Sequence, residues 1–365
     1  MKDNTLKGAH IGSIIKKKLT EKSISITEFA RKINRERTDV YHLFLILYCC
    51  LTAVRCTVDT SFPREEILTQ ELMPLKGVTC PVNLEVKHPF LMILNWKRTD
   101  SLFHIYDLTN HELKHAFGVK GHGPDEFEVP WLLKSQLNDF LIKDKNMLYQ
   151  FGINEDGIPL LKDIIHPNYI DDISEAAFIN DSIFVIDAMY LAPSLYLLSL
   201  QDKLPRKTRK YRDSSIRDFY IDPNSGNVYA NDSRIAFCYQ YKKQIDFLDI
   251  ELNLIKSVKF KYNFPANTIG SPDAKVSYSV GYLGKRYLYV LFFGKSWKEF
   301  RSLYSDSGVY LEVFDLDGNP VIKYRLDGLS PIHFVVDEEN FTLYGAREDA
   351  APEDHLLVYQ LKGLN

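Results

Sequence analysis

The sequence lacks the short motifs that identify most enzymes and metalloproteins. Only five of its 365 residues are cysteine, and no two of them form a C-x-x-C pair, so a zinc site has no support. It contains no Gly-x-Ser-x-Gly elbow and no His-Glu-x-x-His motif. We therefore expect no metal and no cofactor, and we name no catalytic residue. A catalytic pair built from distant segments would leave no mark in the sequence, so an enzyme stays an alternative.

Long hydrophobic runs are also missing. The run from Leu45 to Cys56 holds about eleven apolar residues, whereas a helix needs about 20 to span a bilayer. Its length suits the apolar part of a secretory signal, and Cys56 after it resembles the junction of a bacterial lipoprotein. We expect residues 45–61 to form an apolar leader or linker, with membrane attachment near Cys56. The alternative is a buried helix that continues from Phe44.

Charge is nearly balanced overall but uneven along the chain. The net charge is −3, which argues against a protein that coats nucleic acid. Residues 1–44 hold ten Lys and Arg against five Asp and Glu, about +5. The remainder holds 35 against 43, about −8. This asymmetry predicts two segments with different tasks.

The basic segment 1–44 reads as three short helices. Its small and apolar positions resemble the lambda-repressor-like helix-turn-helix family: Ala30, a turn at Asn34, then Val40 and Leu43. The resemblance implies that a DNA groove would be contacted by Arg35, Arg37, Thr38, Asp39 and Tyr41. The alternative is a remnant or a mis-joined leader that binds nothing.

Internal repetition is the strongest pattern in the chain. Polar turns recur about every 45 to 48 residues, with one interval of about 66, between strand-like runs. This period is the size of a four-stranded propeller blade. The insertion Gly294–Gly308 accounts for the long interval. The turns are centred on Asp107, Asn154, Gln201, Asp249, Asp315 and Gln360.

The repeats predict an all-β, six-bladed β-propeller over residues 62–365. Five units have four predicted strands each, and the last has only three. We expect Glu66–Leu75 to pair with the last unit, because this closes the ring and removes an exposed edge. In the fourth unit the predicted strands are Ile216–Ile221, Asn227–Asn231, Gln244–Asp249 and Ile255–Phe260.

One loop resembles a motif of a particular group of propellers. The stretch Gly121-His122-Gly123-Pro124-Asp125-Glu126-Phe127 resembles a Gly-x-Gly-Pro-x-Glu-Phe loop of six-bladed, TolB-like or NHL-like propellers. Val309–Leu326 and Phe334–Tyr344 look like the closing blades of the same group. Many members are envelope lipoproteins of Bacteroidetes, so the resemblance implies the periplasm or outer membrane. We expect the loop to cross from one sheet to the next, with Phe127 and Trp131 anchoring its far end.

A ligand site is expected where loops gather at the mouth of the central channel. We place it on the face that carries the 294–308 insertion. Aromatic and cationic groups there would suit a sugar, a carboxylate or a peptide end. The predicted ligand contacts are Trp96, Arg98, His122, Arg234, Trp297 and Arg347.

Three functions remain open from the sequence. The first is a non-enzymatic envelope protein that binds a small molecule, a glycan or a protein, with no nucleic acid as a partner. The second is a lyase or hydrolase acting on a sugar or anionic substrate, which predicts a titratable pair at the channel mouth. The third is a cytoplasmic regulator whose propeller is a sensor and whose residues 1–44 bind DNA.

Overall fold

The chain folds into a six-bladed β-propeller, as predicted. The computed structural model describes residues 61–364 except for 124, 146, 167–175, 188–194, 203, 214, 217–220, 263, 297, 300–307 and 348–352. The described residues form six sheets of four or five strands and one small parallel pair. The predicted helix-turn-helix contacts Arg35, Arg37, Thr38 and Tyr41, and Cys56, lie outside the described residues. The predicted boundaries at 44 and 61 stay predictions.

Each of the first three blades is an antiparallel meander whose strands run in chain order from the channel to the rim. Blade 1 comprises Pro81–Lys87, Phe90–Asn95, Phe103–Asp107 and Glu112–Phe117. Blade 2 comprises Pro130–Leu133, Phe140–Asp144, Met147–Ile153 and Pro159–Ile165. Blade 3 comprises Ala176–Phe178, Ile183–Asp187, Leu195–Ser199 and Lys207–Arg209. These bounds agree with the predicted strands to within a few residues.

The last three blades repeat the pattern, with additions. Blade 4 comprises Gly226–Ala230, Ile235–Tyr239, Gln244–Leu248 and Leu254–Lys259. A short 3-10 helix, Ala266–Thr268, lies in the loop that follows. Blade 5 comprises Lys275–Leu283, Tyr287–Ser296, Tyr310–Asp315 and Pro320–Asp327, with Glu65–Thr69 as a fifth strand. Blade 6 comprises His333–Asp337, Thr342–Ala346 and His355–Gln360, and Glu71–Pro74 completes it.

The ring closes through the N-terminal strand, although not wholly as predicted. Glu71–Pro74 pairs antiparallel with the last strand of blade 6. The preceding Glu65–Thr69 instead pairs parallel with the outer strand of blade 5. Gln70 stands between the two halves, and its Oε1 accepts hydrogen bonds from Leu329 N at 3.1 Å and the Tyr359 hydroxyl at 3.3 Å. One segment therefore joins the last two blades.

The predicted strands of blade 4 were partly wrong. Its first strand is Gly226–Ala230, where the second was predicted, and the apolar run Ile235–Tyr239 is its second strand. Most of the predicted Ile216–Ile221 lies outside the described residues. All five residues of Ile235–Tyr239 are buried, so the run lacks the in–out alternation that identifies a strand. The error moved every loop assignment in this blade by one position.

The turns that gave the repeat count have a common structure. Side-chain oxygens of Asp107, Asn154, Asp249 and Asp315 accept backbone N–H groups two residues ahead. Such turns compete well with extended structure, which is why Asp and Asn mark them. Each connects the third and fourth strands of a blade.

Strand direction alternates within each blade, which sorts the loops onto two faces. Loops between the second and third strands, and loops between blades, share one face, which we call the top face. Loops between the first and second strands, and between the third and fourth, share the bottom face. Apolar clusters fill the contacts between successive blades, as Phe103 and Phe140 do for blades 1 and 2.

Candidate functional site

The Gly-x-Gly-Pro-x-Glu-Phe loop crosses from blade 1 to blade 2 on the top face, as expected. Its Glu126 carboxylate accepts the Gly123 N–H at 2.8 Å. A Cβ at Gly121 would lie 1.9 Å from a Glu126 oxygen, so a larger residue there would displace this carboxylate. Phe127 is buried, with its ring 5.2 Å from that of Phe103. The loop is therefore anchored at its far end, and its exposed residues are held in place.

Three predicted contacts lie exposed on the top face. Trp96 is 36% exposed, and the Lys120 ammonium lies 4.6 Å from its ring centre. The Arg98 guanidinium is 4.0 Å from Asp100. His122 is 81% exposed, and its Nδ1 lies 2.9 Å from Glu128 Oε2. Their role as ligand contacts stays a prediction.

Arg347 lies on the top face but is buried. Only 6% of the residue is exposed, and its Nη1 donates to the Ser330 carbonyl at 3.1 Å. The bond ties the blade 6 loop to the loop that enters this blade. Arg347 thus fastens two loops together, and its role as a ligand contact stays a prediction. Trp297, the remaining aromatic contact, lies outside the described residues.

The predicted position of Arg234 was wrong. It lies in the loop between the first and second strands of blade 4, and so on the bottom face. Its Nε donates to the Leu316 carbonyl at 3.1 Å, and its Nη2 lies 3.1 Å from Asp317 Oδ1. Both partners belong to a turn of blade 5. The position was predicted wrongly because the strand Ile235–Tyr239 was missed. Without that strand, Arg234 falls in the loop between the second and third strands.

A cleft on the bottom face is the site that the sequence analysis missed. Its volume is about 760 Å³, within the range typical of small-molecule sites. Loops of blades 1, 2, 5 and 6 form its walls, and it extends from the channel mouth outward beneath blades 1 and 2. Tyr282 and Phe90 supply buried aromatic surface. Polar side chains surround them.

The inner wall of the cleft holds a histidine–carboxylate pair. His88 Nδ1 lies 3.0 Å from Asp337 Oδ2, where the histidine side chain is 36% exposed and the aspartate 2%. Asp337 also accepts hydrogen bonds at 3.1 Å from Glu339 N and from the Asn340 amide within its own hairpin. The carboxylate is therefore held rigidly, and it holds His88 against blade 6.

A second charged group lies between blades 1 and 2. Lys87 Nζ is 2.7 Å from Glu85 Oε1 and also donates to the Ser135 carbonyl. Ser135 N donates to the same Glu85 oxygen at 3.2 Å. Glu85 is fully buried, and among the described residues its Oε2 has no hydrogen-bond partner. Lys87 and Ser135 line the cleft above it.

Two further carboxylates complete the walls. Burial alone would raise the pKa of Asp139, but hydrogen bonds from Lys162 at 2.7 Å and Gln150 at 2.6 Å outweigh it and lower that pKa. Burial raises the pKa of Glu338, partly offset by backbone N–H groups such as that of Lys285 at 2.7 Å. Ionised Asp139 is thus fixed by its donors, and Glu338 is half-buried beside the channel mouth.

Above the cleft, the central channel is crossed by two side chains of blade 2. Lys134 Nζ donates to the Gly281 carbonyl at 2.8 Å, and Gln136 Nε2 donates to the Leu283 carbonyl at 2.9 Å. Both acceptors belong to blade 5, on the opposite side of the ring. A cavity of about 110 Å³ remains in the channel. Ser135 and Gln136 line both spaces and separate the cleft from the channel cavity.

The comparison with known families agrees with the blade count. The TolB-like 6-blade propeller-like family matches residues 60–339, which is most of the chain. The chain belongs to this family. No curated protein matches this TolB-like propeller in sequence.

Two solved structures are similar to this TolB-like propeller. A member of the DUF4221 family from Bacteroides vulgatus is 13% identical with a TM-score of 0.49, covering 80% of this chain and 95% of that one. A variant of KlHsv2 with loop 6CD replaced by a Gly-Ser linker is 12% identical with a TM-score of 0.35, covering 75% and 81%. Both likenesses are weak, so the family assignment depends on the sequence match.

The described part of this TolB-like propeller contains no group of three or more His, Cys, Asp or Glu side chains able to hold a metal ion. In the same residues, no helix is long and apolar enough to cross a bilayer. The cleft offers hydrogen-bond donors, acceptors and two aromatic rings, which together can bind a polar organic molecule.

Sequence reasoning missed the cleft because its parts are far apart in the chain. His88 and Asp337 are separated by 249 residues. One signal was present: each residue sits at the end of a first strand, where the chain turns onto the bottom face. An alignment of the six blades at the ends of their first strands would have placed His88 and Asp337 at equivalent positions.

Proposed function

We propose that this TolB-like propeller is a non-enzymatic binding protein of the cell envelope that holds a neutral, hydroxyl-rich ligand of sugar type in the bottom-face cleft. The single observation that carries the proposal is the cleft itself, with a volume of about 760 Å³ and polar groups supplied by four blades. Hydroxyl groups both donate and accept hydrogen bonds, so they suit a wall that offers both.

The ion pairs in the wall of the cleft favour a neutral ligand. Lys87 and Lys162 are neutralised by Glu85 and Asp139. Glu338 already accepts hydrogen bonds from backbone N–H groups. A strongly charged ligand would have to compete with these internal pairs, because each is already formed within the protein. A sugar can bond to their remaining lone pairs and protons without separating them.

Aromatic surface supports the same ligand class. Tyr282 and Phe90 lie at the wall of the cleft with their polar neighbours around them. Small-molecule sites typically combine apolar and aromatic walls with a few fixed polar groups. The rigid carboxylate of Asp337 and the bound Lys87 supply such fixed groups.

Titration calorimetry with maltotriose, cellotriose and N-acetylchitotriose tests the proposal. At least one of the three should bind, and Asn138→Trp should weaken it at least tenfold, because Asn138 is an exposed residue of the cleft wall. Asp232→Trp places the same side chain on an exposed loop of blade 4 and should leave binding unchanged. Failure of all three sugars to bind, or equal effects of the two variants, would refute the proposal.

The location in the cell envelope has a separate support and a separate test. The apolar run 45–56 ends in Cys56, and the family resemblance implies an envelope protein. Metabolic labelling with a fatty acid should label the native protein and not Cys56→Ser. A native N-terminus at Met1 in a cytosolic fraction would contradict envelope attachment.

The second candidate function is acid–base catalysis in the same cleft. It is favoured by the His88–Asp337 pair at 3.0 Å, the kind of titratable pair that the enzyme hypothesis predicted, although on the opposite face. We rank it second because the Asp337 carboxylate already accepts hydrogen bonds from Glu339 and Asn340 of its own hairpin. Hydrolysis of p-nitrophenyl glycosides that disappears in His88→Ala would make it the better description.

A further inference from the structure

The bottom-face cleft runs along a radius of the propeller, from the central channel to the rim of blade 2. Within each blade the strands follow one another from channel to rim, so the strand of a residue gives its distance from the centre. Tyr282 and Asp337 lie in first strands and mark the inner end of the cleft. Leu160 and Lys162 lie in a fourth strand and mark its outer end. A ligand that fills the cleft is therefore elongated.

A hydrogen bond closes the inner end toward the channel. The Gln136 amide donates to the Leu283 carbonyl at 2.9 Å, and the preceding Tyr282 is buried. Gln136 lines both the cleft and the channel cavity, so its side chain is part of the partition between them. While this bond is in place, a ligand in the cleft cannot continue into the channel.

Two hairpins that are bonded to each other form the wall across the channel mouth. The Glu338 carboxylate of blade 6 accepts the Lys285 N–H at 2.7 Å and the Tyr287 N–H at 3.2 Å, both from blade 5. The Arg286 guanidinium donates to the Glu338 carbonyl. In the described part of the chain, no residue of blade 3 or blade 4 lines the cleft, so its contacts stop at this wall. We call the following residues the end wall: Gln136, Tyr282, Lys285 and Glu338.

The outer end of the cleft is open. The Lys162 side chain is 53% exposed, and Leu160 is 51% exposed. Both lie on the outermost strand of blade 2, and among the described strands none pairs beyond it. A chain that lies in the cleft can therefore leave it past the rim of blade 2 into solvent.

His88 offers a hydrogen-bond acceptor at the inner end. Its Nδ1 lies 3.0 Å from Asp337 Oδ2, so in the neutral imidazole the proton is on Nδ1 and Nε2 is the acceptor. The His88 side chain is 36% exposed and lines the cleft. Because the bond to Asp337 fixes the ring, a ligand hydroxyl at the inner end meets an acceptor of defined position.

The two unlike ends of the cleft distinguish the end of a glycan chain from its middle. A terminal sugar carries a free hydroxyl where an internal sugar carries the glycosidic bond to the next ring. At the inner end the free hydroxyl can donate to His88, whereas a further ring would collide with Tyr282 or displace Gln136. A site that hydrogen-bonds a hydroxyl rejects analogues that lack it, because its own polar group is then left unpaired.

The inference from these two ends rests on the proposed function. We propose that the cleft binds the terminus of a linear oligosaccharide, with the terminal sugar against the end wall and the following sugars directed toward the rim of blade 2. The volume of about 760 Å³ lies in the upper part of the range for small-molecule sites, so it can enclose more than one sugar ring. The cleft thus selects chain ends and does not take the middle of a polysaccharide.

Titration calorimetry on the full chain with end-capped trisaccharides tests the proposal. The probes are maltotriose, cellotriose and N-acetylchitotriose. Each is used free, as the methyl glycoside that blocks the reducing end, and as the 4-O-methyl ether that blocks the non-reducing end. For the trisaccharide that binds, one cap should weaken binding by about tenfold or more, because it removes a hydroxyl bonded at the inner end. The other cap should leave the affinity almost unchanged, because it lies toward the open rim.

A variant of the end wall tests the cause of the selectivity. Gln136→Ala should reduce the ratio of the affinities for free and capped sugar, because the methyl cap can enter the space that the side chain vacates. Asn138→Ala, on the same loop but in the side wall, should leave this ratio unchanged. Since the ratio compares two ligands on one protein, a general loss of stability does not imitate the effect.

The remaining outcomes separate this inference from the proposed function. Equal affinities for the free and both capped sugars would overturn the inference and leave the proposed function standing. A large loss with both caps would also overturn it, since the cleft would then be closed at its two ends. An unchanged ratio in Gln136→Ala would contradict the selection of chain ends by the end wall. If none of the trisaccharides binds, the proposed function fails and the inference fails with it.

Discussion

Lys243 and Glu312 form an ion pair, 2.7 Å from Nζ to Oε1, that is almost wholly withdrawn from solvent. Lys243 follows the second strand of blade 4, and Glu312 lies in the third strand of blade 5. The Lys243 ammonium also lies 3.8 Å from the centre of the Phe292 ring, and the Tyr278 hydroxyl donates to Glu312 at 2.7 Å. The pair links blades 4 and 5.

Removing one partner of this pair should be costly. Lys243→Met leaves the Glu312 carboxylate buried without its cation, and such losses typically amount to about 3–5 kcal/mol. Urea unfolding would measure the change. The double variant Lys243→Met, Glu312→Leu should recover part of the loss, because neither charge is then left unpaired. A double variant that is less stable than the sum of the single variants would contradict this account.

Gln70 should be important for ring closure. Its Oε1 accepts from Leu329 N and the Tyr359 hydroxyl, between the strands that join blades 5 and 6. Gln70→Ala leaves the Leu329 N–H without its acceptor, which typically costs about 1–3 kcal/mol, whereas the Tyr359 hydroxyl keeps the Leu329 carbonyl as its acceptor. The neighbouring Thr69 is exposed, so Thr69→Ala is a matched control that should change the free energy of unfolding by less than about 0.5 kcal/mol. Equal effects of the two variants would argue against a special role for Gln70.

Stability should fall on acidification partly because of His104. Burial, with a smaller contribution from Arg98, lowers the pKa of His104 from 6.5 to about 4. The unfolded chain therefore binds a proton between pH 6.5 and 4 that the folded chain does not. Stability is fully present above pH 6.5 and is lost as the pH falls toward 4.

The size of this effect can be measured by substitution. His104 should account for about 2–3 kcal/mol of the loss between pH 7 and 4.5, since one pKa unit corresponds to about 1.4 kcal/mol. Urea unfolding at several pH values should show a shallower slope in His104→Gln than in the original protein. An unchanged slope would mean that the folded chain protonates His104 as readily as the unfolded chain does.

The hydrogen bond from Gln136 across the channel should contribute modestly to the free energy of unfolding. Gln136 donates across the ring to the Leu283 carbonyl at 2.9 Å. Gln136→Ala should lower the free energy of unfolding by about 1 kcal/mol, the usual net contribution of one hydrogen bond. Asn138→Ala, on the same loop but exposed, should have almost no effect. Guanidinium unfolding of both variants would compare them, and equal midpoints would show that the bridge contributes nothing.

Several elements could be predicted because their signals are local. Asp107, Asn154, Asp249 and Asp315 mark turns through bonds to backbone groups at most four residues away, so spacing alone gave the blade count. The Gly121 loop was recognisable for the same reason. Ile235–Tyr239 was missed because the prediction counted Ile216–Ile221 as the first strand of blade 4, which completed the four strands without it.

The candidate sites depended on contacts that no local pattern records. Arg234 was expected beside a ligand, but it bonds to a turn of the next blade. Arg347 was expected to face the channel mouth, but it is buried against Ser330. An arginine at a loop looks the same in sequence whether it faces solvent or joins two blades.

The sequence by itself determined the number of blades, the turn positions and the need for an N-terminal strand to close the ring, because each follows from periodicity and from the edge that an incomplete sheet exposes. Only the tertiary structure decided which face each loop occupies, that the closing segment is shared by two blades, and that His88 meets Asp337 in a cleft. The reason is that these contacts join residues up to about 290 positions apart, and ring closure alone brings them together.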